Sequence, residues 1–307
     1  MNLRIVPFEE AKQEYRTALR RAANATVFHT VEWLECIDQA FQGHVFIGFT
    51  DTFAIPLFIK GRPPFRRIFS LPYDTYGGPL VRRNQTVSID DLYAPLDWIR
   101  IVDYRTVVSE AKKFKAIQWV THVVYLRGGM GEVQDRYAGS LKKALKQAKR
   151  RGLEIETLRD PSELRVFYQL YLQTAKRNKL PIYPYRLFRE IFERMVPKGY
   201  ATFYLARHEL EAVAGLLVLK DHNMALAWVD GYKEEALPLR PMNALIDKSI
   251  RDAAKLRLNV YNLGSTPTQK PGIVKFKESF GAVTYHFTIF EHLPLHQDVV
   301  RWILRRG

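Results

Sequence analysis

The chain has 307 residues, 47% of them apolar and 13% aromatic, and a formal net charge of +15 at pH 7. That length exceeds what one hydrophobic core usually organises, so two lobes are expected. No apolar run reaches the roughly 18 residues needed to span a bilayer, and Met1 to Glu10 lacks the pattern of a signal peptide, so a cytoplasmic location is expected. The charge points to phosphates, anionic headgroups and nucleotide-linked substrates as a class of partner, although lysine and arginine that serve only solubility account for it equally well. The single cysteine, Cys36, cannot close an internal disulfide and reads as core packing within Trp33 to Phe41.

In chain order, His44 to Lys60 reads as two strands around a turn at Thr50 to Thr52, followed by Arg67 to Leu71 and the turn-rich Pro72 to Pro79. Pro95 to Val124 reads as a helical or irregular stretch and then a strand. Gly128, Gly129 and Gly131 read as a linker. Beyond them Tyr137, Leu141, Leu145 and Ala148 form an apolar stripe at helical spacing, with Lys142, Lys143, Lys146, Lys149, Arg150 and Arg151 on the other faces and Gly152 as cap. Ala201 to Arg207 and Ala212 to Lys220 form a hairpin, and Met224 to Gly231 a third strand. A helix from Met242 to Leu256 and a strand from Leu258 to Leu263 follow. The two halves therefore read as a weak tandem repeat of one α/β unit, each a mixed, mostly antiparallel sheet flanked by helices.

Hydrolytic and metal chemistries fare poorly. The chain has no H-E-x-x-H, no G-x-S-x-G, no G-x-x-x-x-G-K-[ST] and no paired cysteines, and Pro294 interrupts His292 and His296. No metal is expected. The segment Leu258 to Ala282 is different: a strand breaks at Gly264 into a polar loop and enters a helix near Pro271. In that helix Ile273, Phe276 and Phe280 share one face, Lys275 points away, and Lys277 lies at the margin of the buried face. Lys277 is then either a partly desolvated cation in a cleft or a snorkelling side chain with its ammonium in water.

These residues resemble the Fem-type aminoacyltransferases within the wider GNAT acyltransferase superfamily, over most of the chain. Phe28 to Phe41 (FHTVEWLECIDQAF) looks like the family's F-x-x-x-x-W-L opening, and Tyr73 to Leu80 (YDTYGGPL) its first-lobe Y-G-G-P loop. Leu141 to Gly152 is similar to the basic helix that starts the second lobe. Phe167 to Tyr185, with Tyr171, Thr174 and Arg177, resembles the helix after it. The sharpest match is YNLGST, a gap, then GIVKFKESFGA.

The resemblance implies two GNAT-like lobes facing a shared cleft, assigned to residues 1–132 and 133–290, with 291–307 as a tail helix packing back on the first. It implies an amine acceptor attacking an activated carbonyl on a phosphate-rich donor. In the Fem branch the donor is aminoacyl-tRNA and the acceptor a peptidoglycan precursor, nucleotide-linked or lipid-linked. The family's Phe-Lys pair beside the reacting ester falls on Phe276 and Lys277, and a cation there favours the charge that builds on the carbonyl oxygen. Tyr76, Gly77, Arg177, Asp230, Tyr232, Arg240, Tyr261, Asn262 and Ser265 are the expected substrate contacts. Asp230 and Glu278 are candidates for the base, although solvent or the substrate itself could take the proton.

Two departures matter. Acetyl-CoA enzymes of the superfamily carry R/Q-x-x-G-x-G/A before the central helix, whereas Leu239 to Ala244 (LRPMNA) has no glycine, and Pro241 has no N–H. Asn262 and Ser265 stand where relatives often carry an acidic residue and an arginine. The expected function is transfer of an activated aminoacyl group to an amine of a cell-envelope precursor, with no cofactor beyond the donor and with peripheral contact to an anionic membrane open. The rivals are an acyl-CoA-dependent N-acyltransferase acting on an amino sugar or polysaccharide precursor, and a non-catalytic polyanion-binding module.

Overall fold

The computed structural model describes residues 3–63, 65–265 and 271–294. The chain begins with β1 (Arg4–Pro7) and α1 (Phe8–Arg21), a helix with Glu9 and Glu10 in its first turn and Arg20 and Arg21 in its last, charges that oppose the ends of the helix dipole. It buries Phe8, Ala11 and Tyr15. The Thr30 side chain accepts from the Trp33 N–H and starts α2 (Val31–Ala40), which buries Trp33, Leu34 and Cys36. Then come β2 (His44–Phe49), β3 (Ala54–Lys60), β4 (Arg67–Phe69), β5 (Val87–Ser88), β6 (Trp98–Asp103), β7 (Val108–Glu110) and β8 (Lys115–Tyr125).

The stretch from Pro95 to Val124 thus holds three strands and no helix. Trp98 to Asp103 places Ile99 and Ile101, both fully buried, two residues apart, and period-two burial of β-branched residues fits a sheet. The linker expected at Gly128 to Gly131 is also not seen. Gly128 and Gly129 have φ of 90° and 84°, and the chain enters α3 (Gly129–Asp135), which buries Val133. Val133 and Met130 pack on the second core, and that apolar anchor makes the glycine run a helix start.

The second unit continues with α4 (Gly139–Arg150), β9 (Glu154–Thr157), α5 (Leu164–Arg177), α6 (Tyr185–Arg194), β10 (Ala201–His208), β11 (Glu211–Lys220), β12 (Met224–Tyr232), α7 (Pro241–Lys255), β13 (Val260–Ser265) and α8 (Pro271–Glu278). Strands β9 to β12 run antiparallel in sequence order, β13 lies parallel to β12, and Thr121 to Tyr125 of β8 pair antiparallel with β13. Tyr204, Leu216, Leu245, Ile250, Tyr261 and Phe280 belong to its core. Finally β14 (Val283–His292) returns to the first unit and pairs antiparallel with β6. The first unit's sheet runs β1-β2-β3-β4-β6-β14, with β4 and β6 parallel.

The compact units are the described residues up to Trp119 with those from His286 onward, and Val120–Tyr285. The divisions fall inside β8 and β14. Of the expected tail helix, Glu291 and His292 end β14, and residues 295–307 lie outside the described residues, as does Thr266 of the YNLGST motif. No helix among the described residues is long and apolar enough to cross a membrane.

Candidate functional site

Strands β12 and β13 are paired over three positions only, Met224 with Val260, Ala225 with Tyr261 and Leu226 with Asn262. Past that point β12 stays with β11, while β13 turns at Gly264, whose φ of +78° suits glycine; a Cβ there would lie 3.3 Å from the Ala227 carbonyl oxygen. The parting strands leave the Gly264 and Ser265 carbonyls without a β12 partner. Asn262, with no exposed surface, fixes this turn: its Oδ1 accepts from Thr121 Oγ1 at 2.6 Å and from the Gly264 N–H at 2.8 Å.

Lys277 on α8 meets those carbonyls. Its Nζ donates to Gly264 O at 2.5 Å and Ser265 O at 3.1 Å, and the residue is 6% exposed. The ammonium is therefore inside, not snorkelling, and burial pulls its pKa down to about 8 while the charge of Asp230 pushes the other way. Two of its three hydrogens are used by described residues, which leaves one donor for a substrate oxygen. The helix face differs from expectation. Ile273 is 40% exposed, whereas Phe276 packs edge-on against Phe280 at 5.4 Å and Phe280 against Tyr137 at 5.8 Å. The Gly264 and Ser265 carbonyls give the lysine polar partners inside.

Asp230, near the end of β12, keeps an exposed surface yet is walled by enough protein that desolvation holds its carboxyl above the ordinary carboxylate range; the Lys277 and Arg177 charges work against that rise. Arg177 lies with its guanidinium 4.5 Å from the Tyr232 ring centroid and donates through Nη2 to Thr174 Oγ1 at 3.3 Å. The Thr174 Oγ1 also accepts from the Tyr232 N–H at 2.9 Å. Helix α5 comes this close because of Gly231, where a Cβ would sit 2.3 Å from the Tyr171 nitrogen. Lys277, Asp230, Arg177, Tyr232, Asn262 and Ser265 thus gather around the parting of β12 and β13.

Other expected contacts stand apart. Tyr261 has no exposed surface, and its hydroxyl is 2.6 Å from Ser249 Oγ, so it is a core residue with a pKa raised by burial. Arg240 is exposed at the start of α7, with φ 60° and its Nε 3.4 Å from Gln147 Oε1. Tyr76 and Gly77 belong to the first unit, where Tyr76 is 5% exposed and stacks on Tyr104 at 4.0 Å. A Cβ at Gly77 would lie 2.1 Å from the Ser70 carbonyl oxygen, so this glycine is a packing requirement.

Sequence reasoning missed His122. It is buried on β8, its Nδ1 has no hydrogen-bond partner among the described residues, and burial and the Lys277 charge hold its pKa down. Nothing in the local pattern VTHVVY separates it from a strand residue facing solvent. Only the register that sets β8 beside β13 brings it near Lys277.

Residues 135–277, within the second unit, match the family described as Acetyltransferase (GNAT) domain. A solved structure of FemX shares 13% identity, over 99% of this chain and 100% of that one, with a TM-score of 0.66. The tandem GNAT protein from the clavulanic acid biosynthesis pathway shares 13% over 94% and 98%, at 0.56. The fold is that of the tandem GNAT proteins. The C-terminal domain of a putative lysylphosphatidylglycerol synthetase from Agrobacterium fabrum also has it, with 11% identity over 94% and 96% and a TM-score of 0.58. No curated protein matches the sequence. Within this tandem GNAT fold the turn from Asn262 to Ser265 lies inside the stretch the family match covers, and Lys277 is its last residue.

Proposed function

We propose that the protein forms an amide by transferring an activated aminoacyl group from aminoacyl-tRNA to an amine of a cell-envelope precursor. The observation that carries this reading is the buried Lys277 ammonium, held by the Gly264 and Ser265 carbonyls with one hydrogen to spare. The acceptor nitrogen attacks the ester carbonyl carbon, a C–N bond forms and the C–O bond to the ribose breaks. Negative charge gathers on the carbonyl oxygen, where the remaining Lys277 N–H stabilises it. Asp230, solvent-accessible and with a raised pKa, takes the proton that the amine loses, and the departing ribose oxygen ends protonated. Phe276, next to Lys277 in the chain, packs on Phe280 and the core of the second unit. Such an enzyme works in the cytoplasm, where charged tRNA and nucleotide-linked precursors are found, with lipid-linked precursors reached at the inner membrane face.

A second reading, N-acylation from acyl-CoA, is favoured by the match to an acetyltransferase domain. Against it, α7 opens with Arg240 in the left-handed region and Pro241 at its first position, and Leu239 to Ala244 has no glycine to let consecutive N–H groups wrap a pyrophosphate. The test supplies purified protein with radiolabelled aminoacyl-tRNA or acyl-CoA. Nucleotide-linked muropeptide, an amino sugar and phosphatidylglycerol serve as acceptors, the last because one neighbour is named for a lipid product. Transfer from tRNA to the muropeptide is expected, with Lys277→Met lowering kcat by about 10²–10³-fold at an unchanged Tm. Turnover of acyl-CoA alone would select the second reading.

A further inference from the structure

On two other helices of the second unit, basic residues are paired along their own helix. On α6, Arg186 and Arg194 meet Glu190 and Arg189 meets Glu193; on α7, Lys248 and Lys255 meet Asp252 and Arg251 meets Asp247. Helix α4 differs from these two, and it carries more cations than α5, which also lacks a carboxylate. Its sequence GSLKKALKQAKR contains no carboxylate, and Lys142, Lys143, Lys146, Lys149 and Arg150 are all exposed, with no ion pair among the described residues. At 100° per residue these five cations fall within an arc of about 120°, along about 12 Å of axis. Lys142 with Lys146 and Lys146 with Arg150 are like charges four apart, an arrangement that destabilises a helix. Charge that served solubility alone would be interspersed with carboxylates, as on α6 and α7.

The ridge continues toward α7. Arg151 Nη1 donates to the Pro238 carbonyl at 2.8 Å, Gln147 Nε2 donates to the same oxygen at 3.1 Å, and Gln147 Oε1 is 3.4 Å from Arg240 Nε. The cations of α4 are thereby tied to Arg240 at the start of α7. The exposed arc carries no apolar or aromatic side chain: Leu141 and Ala148 are buried, and Ala144 and Leu145 are half-buried. Helices that dock on membranes combine their cations with an exposed apolar face that enters the lipid. A row of cations alone, spaced along a rod, matches successive phosphates of a nucleic-acid backbone.

We infer that the α4 ridge, from Lys142 to Arg150 and on to Arg240, holds the sugar-phosphate backbone of an RNA, which under the proposed function is the stem of the aminoacyl-tRNA donor. The experiment measures binding of a fluorescent tRNA transcript against salt for the wild type, for Lys142→Gln/Lys146→Gln/Lys149→Gln, and for a control, Arg62→Gln/Arg82→Gln/Arg83→Gln, neutralised in the first unit. Vesicles containing phosphatidylglycerol are titrated in parallel. The α4 variant is expected to bind tRNA about tenfold or more weakly at 0.1 M salt, with the slope of log K against log[salt] reduced by about 2. Its Tm should not fall, because like-charge repulsion has been removed, and the control should bind as the wild type does. Retained affinity and slope in the α4 variant, an equal loss in the control, or α4-dependent binding to vesicles but not to tRNA would each overturn the inference. Transfer by the wild type from a minimal aminoacyl dinucleotide, which lacks a stem, is scored separately. Its absence would remove the proposed chemistry while leaving the ridge result intact.

Discussion

Each unit holds one glycine-containing loop with a buried titratable side chain, and the two differ in whether that side chain is used up. In the first unit His29 Nδ1 accepts from the Thr26 N–H at 3.0 Å, so its Nε2 carries the hydrogen and donates to the Gly78 carbonyl at 2.9 Å. Both ring nitrogens are committed, and burial brings the pKa down to about 4, leaving a neutral ring that closes the Tyr76 to Gly78 loop. In the second unit Lys277 makes the same kind of bond to Gly264 but keeps a donor and a charge. A buried polar group that is fully partnered is structure; one with a donor left and a pKa near the working range is available for chemistry.

Glycine replacements break the comparison most sharply. Gly77→Ala forces a Cβ into the Ser70 carbonyl at 2.1 Å, a backbone atom that cannot swing aside, so a loss of about 3 kcal/mol or more is expected in chemical denaturation. Among the described residues Gly264→Ala meets Ala227 O alone, at 3.3 Å, and is limited mainly by its φ of +78°, a cost of about 1–2 kcal/mol. If the order were reversed, the closed loop would not be the first unit's.

Asn262→Ala comes next. It strands the Thr121 hydroxyl and the Gly264 N–H, both bonded to Asn262 Oδ1, at a cost of about 1–3 kcal/mol, and frees the turn that grips Lys277. Transfer should fall through kcat with KM little changed. A variant with full kcat would show that the turn does not position the lysine.

The pH dependence separates stability from activity. The Lys277 pKa is lowered in the folded state, from the ordinary lysine value of 10.5 to about 8, so between those values the unfolded chain binds more protons. Stability should therefore rise with pH across this window, by at most about 1.4 kcal/mol per pH unit, and Lys277→Met should abolish the rise. Activity needs the ammonium and should fall over the same range. Parallel curves for the two would rule out a catalytic cation at Lys277.

Much of the architecture is legible in the amino-acid pattern because it follows local periodicity. The hairpin Ala201–Lys220, the strand from Met224, the α7 region and Cys36 in the core all lie where alternation and helical spacing put them. The strand that closes Pro95 to Val124 is present as β8, whereas the helical or irregular stretch before it and the glycines at 128 to 131 differ from expectation because tertiary packing of Ile99, Ile101 and Val133 overrides weak local signals. The Phe276 and Lys277 pair was legible through its motif, but the turn that holds it was not. Asn262, Thr121 and His122 come together by the register of β8 with β13, across more than 130 residues of chain that no local pattern spans.

The smallest expected effect tests a part of the site that the family resemblance pointed to. Arg177 is fixed over Tyr232 and through Thr174, and its positive charge lowers the Asp230 pKa against the desolvation that raises it. Arg177→Met removes that charge and keeps a long apolar stem against the ring. Asp230 must be ionised to take the amine proton, so the acid limb of the kcat profile should move to higher pH, while the alkaline limb set by Lys277 stays in place. A shift of both limbs together would mean that Arg177 acts on the whole turn. No shift of the acid limb would take the proton-accepting role away from Asp230.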